Sequence, residues 1–340
     1  MRIRFLTSTP LDIARGSGTY VGMHVLERAL GQMGHEVCFA PQGPSLPIYT
    51  LQRILFNRRL RPDPSFDLTV GFDMDGYCIA GEPGHVAALK GVIADEVRFE
   101  TGFIKATMSL QARYERLHVY RAACVIATSR YSADRAAEFY GLRDQPQIVP
   151  ELIDLAEWRS LLGQNPANSQ RFTVLYVGRL YRRKRVGVLL RAGELLRDRI
   201  PELEVRIVGN GPDAGRLHDV RNEAIWLGDV TRARLASEYN RCSLFCLPSV
   251  QEGFGIVLLE AMAAGKPIVA SRAAAIPEVA PHAALVEPEN PEALAAAIER
   301  LYHSESERNA NAAAGTKCVE KFDARIVAQQ FLEAATGSSA

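Results

Sequence analysis

No run of about 18 apolar residues occurs anywhere in the chain, which removes a membrane-spanning helix from the possibilities. Cysteine is sparse and scattered. The six, Cys38, Cys78, Cys124, Cys242, Cys246 and Cys318, include no CxxC pair, so buried, reduced thiols are expected rather than a disulfide framework or a zinc site. An excess of one charge is also missing: 40 basic and 39 acidic side chains leave a net charge of +1, so any attraction to anions has to be local and no nucleic-acid partner is expected. The opening MRIRFLTST enters a short strand directly, without the apolar core and small-residue cleavage site of a signal peptide, and a cytoplasmic location is the expectation. Low-complexity segments and short repeats are lacking, and only the tail TGSSA reads as disordered.

What is present is a long alternation of short apolar runs with helical patterns, the signature of βαβ units and parallel sheets. At 340 residues two domains are expected. RIRFLTS, EVCFA, DLTVGF, HVAALKG, CVIATS and PQIVP read as strands of a first Rossmann-like half. RFTVLYVG, EVRIVGNGP, AIWLGDV, LFCLPS, PIVAS and AALVEP read as those of a second. The expected layout is a domain over 1–160, a linker over 161–170 in the Gly/Asn/Pro/Ser-rich LLGQNPANSQ, a second domain over 171–322, and a last helix over 323–340 that either half can accept, the first included.

Three segments of the second half fall at strand carboxyl ends, where open parallel sheets collect ligands and helix N-termini present N–H groups to anions. In VGRLYRRKRV, Arg179 and Lys184 follow a strand and Gly178 lets the backbone turn. Cations near a helix start oppose the macrodipole, so a bound anion gives them a purpose, with a solvated basic cluster as the even alternative. VGNGPDAGRL, with Gly209 and Gly211, has G-x-G-x-x-x-G spacing; alone it reads better as a turn than as a dinucleotide fingerprint. In SVQEGFGIVLLEAMAAGKPIVAS, Gly253 and Gly255 free a loop for close approach, and a helix starts near Ile256. Glu252 lies in that loop and Glu260 about one turn into the helix, at two depths along one ligand, with a cap or ion pair as the ordinary alternative for each. Cations for phosphates, a glycine loop and two carboxylates for hydroxyls together describe a nucleotide-sugar site.

Gly178-Arg179-Leu180 with Lys184 six positions after Gly178, then G-x-G-P, L-G-x-V and E-G-F-G-x4-E-A-M-A-x-G-x-P, resemble the retaining glycosyltransferases of family 4 in order and spacing across nearly all of the second half. The first half resembles them less, through TSTPLDIARGSGTYVGMHVLERALGQMGHEV, with Gly16 and Gly18 in the glycine loop. The resemblance implies an α/β GT-B fold, two Rossmann-like domains with parallel sheets facing an interdomain cleft. It further implies that Arg179 and Lys184 bind the donor diphosphate, that Glu260 holds the ribose, that Glu252 and the backbone of Gly253, Phe254, Gly255 and Ile256 hold the donor sugar, and that Leu227 lines the base pocket, with Gly16, Gly18, Gly178, Gly209 and Gly211 also on the donor side. Many members carry substrate-side histidines where this chain has Asp73, Asp75 and Lys90, so these three become the acceptor-side candidates, while His24 and His85 read as structural.

The implied activity is retaining transfer from a nucleotide-diphosphate sugar to a hydroxyl of a saccharide or lipid-linked acceptor, as in polysaccharide biosynthesis. No cofactor and no metal are expected, because Arg179 and Lys184 supply the charge and no DxD-like pair stands at the donor strand ends. The alternatives are a nucleotide-sugar epimerase or phosphorylase of the same fold and a non-catalytic sugar-nucleotide binder. A dehydrogenase is disfavoured, since GSGTYVG lacks the third fingerprint glycine and no acid follows the second strand. YTLQRILFNRRLRPD, Tyr49 to Asp63, sets Leu51, Ile54, Leu55 and Phe56 beside Arg53, Arg58, Arg59 and Arg61 at spacings for a basic amphipathic helix, and so for peripheral contact with an inner membrane face. A helix packed on its own domain is the equal alternative.

Overall fold

A computed structural model describes residues 1–10, 18–43, 45–218 and 224–337. Six of the apolar runs become strands β1 (Arg2–Leu6), β2 (Glu36–Phe39), β3 (Leu68–Phe72), β4 (His85–Leu89), β5 (Cys124–Ala127) and β6 (Gln147–Ile148). The other six become β7 (Phe172–Val177), β8 (Leu203–Val208), β9 (Ile225–Gly228), β10 (Leu244–Leu247), β11 (Ile268–Ser271) and β12 (Ala284–Val286). They form two parallel six-stranded sheets, ordered β2-β1-β3-β4-β5-β6 and β12-β11-β10-β7-β8-β9. Strands covered by helices on both faces need apolar side chains in both directions, which is why FTVLYV is buried along its whole length instead of alternating.

Each strand order reverses once, between β1 and β3 in the first sheet and between β7 and β10 in the second. At such a reversal the loops leaving two adjacent strands diverge and open a crevice beyond their carboxyl ends. The register of β7 on β8, Phe172 opposite Leu203 through Val177 opposite Val208, brings the loops that begin at Gly178 and Gly209 out side by side.

The chain divides into two compact units at Leu152/Ile153 and at Asp323/Ala324, not at 161–170. Leu161 to Gln164 belong to the helix Leu155–Gln164, which Asp154 caps by accepting the Glu157 N–H and which buries Leu155, Trp158 and Leu162. That apolar stripe outweighs the turn-like composition downstream, and within 161–170 only 165–170 lack regular structure. The helix Ala324–Thr336 lies in the first unit, where Val327, Ala328, Phe331 and Leu332 join Met23, Leu26 and Leu30 of the helix Gly18–Gln32 over Phe5, Val70 and Phe72 of the sheet.

Candidate functional site

In the second unit the loop after β7 and the loop after β10 meet. Val250 N–H donates to the Arg183 carbonyl at 2.9 Å, and Lys184 Nζ lies 2.7 Å from both carboxylate oxygens of Glu252. Lys184 is placed by a 3-10 turn over Arg182–Lys184 that ends at Arg185, a left-handed residue with φ 49°. Arg179 is exposed, and its guanidinium has no ion pair among the described residues. The remaining cations of this run are partly used elsewhere: Arg183 is buried with its guanidinium 4.6 Å from the Tyr181 ring centroid, and Arg185 pairs with Glu289 at 2.8 Å.

The glycines of the β7 and β8 loops have a packing reason of their own. A Cβ on Gly209 would run into the Gly178 carbonyl, and one on Gly211 would sit 2.5 Å from the Leu180 carbonyl. Leu180 N–H donates to Asn210 O and Asp213 N–H to Leu180 O, so the two loops are laced together and the glycines permit the lacing. Leu227 is half-buried on β9, one residue before Gly228, whose carbonyl accepts Gly209 N–H at 2.7 Å.

After β10, Ser249, Gln251 and Glu252 are all buried, and Ser249 Oγ and Gln251 Oε1 have no hydrogen-bond partner among the described residues. Gly253 is buried, and Gly255, at φ 90°, turns the chain into the helix Ile256–Ala263, whose N-terminus has no side-chain cap. The Phe254 ring is buried, edge-on to Phe322 at 5.5 Å.

Glu260 sits one turn into that helix, half-buried, and burial pushes its carboxyl up to about 7, while a hydrogen bond from Tyr239 and the charge of Arg232 pull the other way. Tyr239 Oη is 2.9 Å from Glu260 Oε2, and the Trp158 indole N–H donates to the Glu260 carbonyl at 3.1 Å. The motif reading missed both aromatics. Their signal was a Tyr and a Trp in otherwise amphipathic helices, residue types that keep a polar handle when buried.

The first unit presents a different picture at the carboxyl ends of β3 and β4. Asp73 has φ 53° and is half-buried; its Oδ1 accepts Lys90 N–H at 2.9 Å, and burial raises its carboxyl to about 6 against the pull of Arg53. Lys90 Nζ pairs with Glu151 at 2.9 Å. Asp75 is 1% exposed and fully engaged: it accepts Ser8 N–H and Oγ–H at 2.8 Å and Asn57 Nδ2–H at 3.0 Å, and pairs with Arg53 at 3.3 Å. The structure thus joins Asp73 to Lys90 and places Asp75 inside a buried network that braces the loop after β1. Gly18 opens the helix Gly18–Gln32, and Gly16 lies outside the described residues. His85 is buried, with Nε2 2.8 Å from His118 Nε2, and the two rings stand edge-on, as structural histidines do.

The basic helix is Tyr49–Arg59, and it differs from its expected amphipathicity. Arg53 and Asn57 face inward with Thr50 and Phe56, because Asp75 and Gln111 supply partners that the local sequence does not reveal. Arg58, Arg59, Arg61 and Leu51 remain exposed, with Ile54 and Leu55 half-buried. Among the described residues no helix is long and apolar enough to cross a membrane, and no three His, Cys, Asp or Glu side chains are grouped to hold a metal ion.

Residues 160–317 match the family described as glycosyl transferases group 1. Over 208 residues, 54% of the chain, it is 30% identical to the D-inositol 3-phosphate glycosyltransferase of Nocardiopsis dassonvillei, covering 48% of that protein. Over 194 residues, again 54% of the chain, it is 32% identical to the phosphatidyl-myo-inositol mannosyltransferase of Mycolicibacterium smegmatis, covering 50%. The chain therefore spans about half the length of these curated relatives. Among solved structures, the sucrose-phosphate synthase of Thermosynechococcus elongatus superposes with a TM-score of 0.76 at 19% identity, over 99% of this chain and 98% of that one. HepE of Anabaena, solved with UDP-glucose, superposes with a TM-score of 0.73 at 19% identity, over 99% and 100%. The match to the glycosyl transferases group 1 family thus lies in residues 160–317, and the chain that contains them has the GT-B fold.

Proposed function

We propose that the protein is a retaining glycosyltransferase that moves a sugar from a nucleotide-diphosphate sugar to a hydroxyl of a saccharide or lipid-linked acceptor, without a metal ion. The observation that carries this is the meeting, at the reversal of the second sheet, of Lys184, Glu252 and the uncapped start of the helix Ile256–Ala263. In such a transfer positive charge grows at the anomeric carbon while the diphosphate departs with negative charge. Arg179, Lys184 and the N–H groups of the Ile256–Ala263 helix are the fixed donors that answer the leaving charge, and preorganised donors of this kind are worth about 10²–10³ in rate each. Glu252, held by Lys184, is the carboxylate for the sugar hydroxyls; Glu260, deeper on the helix, is the one for the ribose. The departing phosphate oxygen takes the acceptor's proton on the same face, so no separate nucleophile is required.

Two relatives named for phosphorylated inositol acceptors support an acceptor that is itself a polar hydroxyl-rich molecule, and the exposed Arg58, Arg59 and Arg61 support loose contact with an anionic membrane that presents it. A sugar-nucleotide binder without catalysis is the alternative in a different class. Incubation with UDP-, GDP- and ADP-sugars, without acceptor and with EDTA, separates the two. The transferase is expected to hydrolyse its donor slowly and to be unaffected by the chelator. Binding without any donor turnover would favour the non-catalytic reading, and activity lost in EDTA and restored by magnesium or manganese would overturn metal independence.

A further inference from the structure

Glu260 is held from two sides by groups that no motif contains. Tyr239 is fully buried on the helix Arg232–Arg241, edge-on to Trp158 at 5.6 Å and tilted over Phe245 at 5.8 Å. Its hydroxyl reaches Glu260 Oε2 at 2.9 Å and the Val257 carbonyl at 3.2 Å. From the other side, Trp158 fixes the Glu260 backbone through its indole N–H. The helix that carries Tyr239 is tied to the sheet, because the neighbouring Glu238 makes a buried two-pronged pair with Arg206 of β8 at 2.6 and 3.0 Å. Glu260 Oε1, in contrast, takes no hydrogen bond from any described residue.

We infer that Tyr239 is the positioning residue for Glu260: it commits one carboxylate oxygen and turns the other toward the hydroxyls of the nucleoside. The inference rests on the proposed role of Glu260 at the ribose and extends it to a residue that touches no substrate. A glutamate on a helix surface samples several rotamers, and a hydroxyl rigidly presented by a packed aromatic selects one of them. The same hydroxyl donates to the ionised carboxylate and so favours ionisation against burial; among the described residues the charged side chain acting on the group is Arg232, from the start of Tyr239's own helix, which pairs with Glu157 of the helix Leu155–Gln164 at 3.1 Å. Tyr239 therefore sets both where the free oxygen points and the pH at which it can accept a hydrogen bond.

The test uses the full chain with UDP, GDP and ADP, following whichever the wild type binds most tightly by calorimetry from pH 6 to pH 8.5. Tyr239→Phe removes one oxygen and keeps the packing. It is expected to weaken binding about tenfold at pH 7 and to move the acidic limb of the binding curve to higher pH. In the Glu260→Gln background the same substitution is expected to cost nothing further and to shift no limb, because the carboxylate it serves is gone. Wild-type affinity and an unmoved limb in Tyr239→Phe, or an equal loss in both backgrounds, would overturn the positioning role. Full affinity in Glu260→Gln itself would instead overturn the ribose assignment on which it rests.

Discussion

Lys184 lies 2.7 Å from both oxygens of Glu252, with 15% and 8% of the two side chains exposed, so each is the other's main partner. A diphosphate at the same place competes with Glu252 for Lys184, whereas Arg179 stands exposed with nothing to release. The two cations proposed for one ligand are therefore not equivalent. Arg179→Ala is expected to lower turnover about 10²–10³-fold and leave the urea unfolding midpoint unchanged. Lys184→Ala is expected to lower turnover comparably and also to reduce stability by about 1–3 kcal/mol, because it strands a largely buried carboxylate. Lys184→Ala combined with Glu252→Gln should recover most of that stability and none of the turnover. Unfolding midpoints of the three variants check the first and third statements together; an Arg179→Ala variant as unstable as Lys184→Ala would mean that the pair is not what distinguishes them.

At the scale of elements, the helix Tyr49–Arg59 separates what local pattern reveals from what it cannot. Its helicity is legible in YTLQRILFNRR, but which side faces inward is decided by Asp75 and Gln111, 22 and 58 residues from Arg53. The strands were legible for the opposite reason: a strand buried on both faces declares itself in a few consecutive apolar residues, as FTVLYV does, whatever the rest of the chain contains. The loops after β7, β8 and β10 were legible because turn glycines and charges recur at short spacing, while Tyr239, 21 positions before the Glu260 it contacts, was not. The inward face of the basic helix has a testable consequence. Three exposed arginines, Arg58, Arg59 and Arg61, are left for an anionic surface, each worth about 1 kcal/mol near it. Arg58→Glu with Arg59→Glu is expected to abolish sedimentation with anionic vesicles at low salt while the protein stays folded. Arg53→Met is expected to do the reverse, destabilising the fold by leaving Asp75 buried and unpaired while sparing vesicle binding of the molecules that remain folded. If wild-type protein ignores anionic vesicles at low salt, the membrane proposal fails and a soluble acceptor stands.

On the scale of the whole molecule, the chain leaves the first unit at Leu152 and returns at Ala324. The entry and exit of the second unit lie against each other: Ile153 N–H donates to the Phe322 carbonyl at 3.0 Å, and Ile153 bridges Asp323 in a strand-like pair. Residues 153–323 therefore contain a complete sheet, its covering helices and a closed pair of ends, so this fragment is expected to unfold as one cooperative transition and to bind the nucleotide diphosphate with nearly the affinity of the full chain. Residues 1–152 are in a different position, because their core is completed from the far end of the sequence by Val327, Phe331 and Leu332. Burying three such side chains stabilises by roughly 5–9 kcal/mol, which is comparable to the roughly 5–15 kcal/mol that holds a domain folded. A fragment ending at Leu152 is thus expected to remain largely unfolded or to aggregate, and a fusion of 1–152 to 324–337 through a short flexible linker is expected to recover a sharp thermal transition. Circular dichroism melts of the two fragments and the fusion decide it: a cooperative melt from 1–152 alone would show that the returning helix covers a core already sufficient without it.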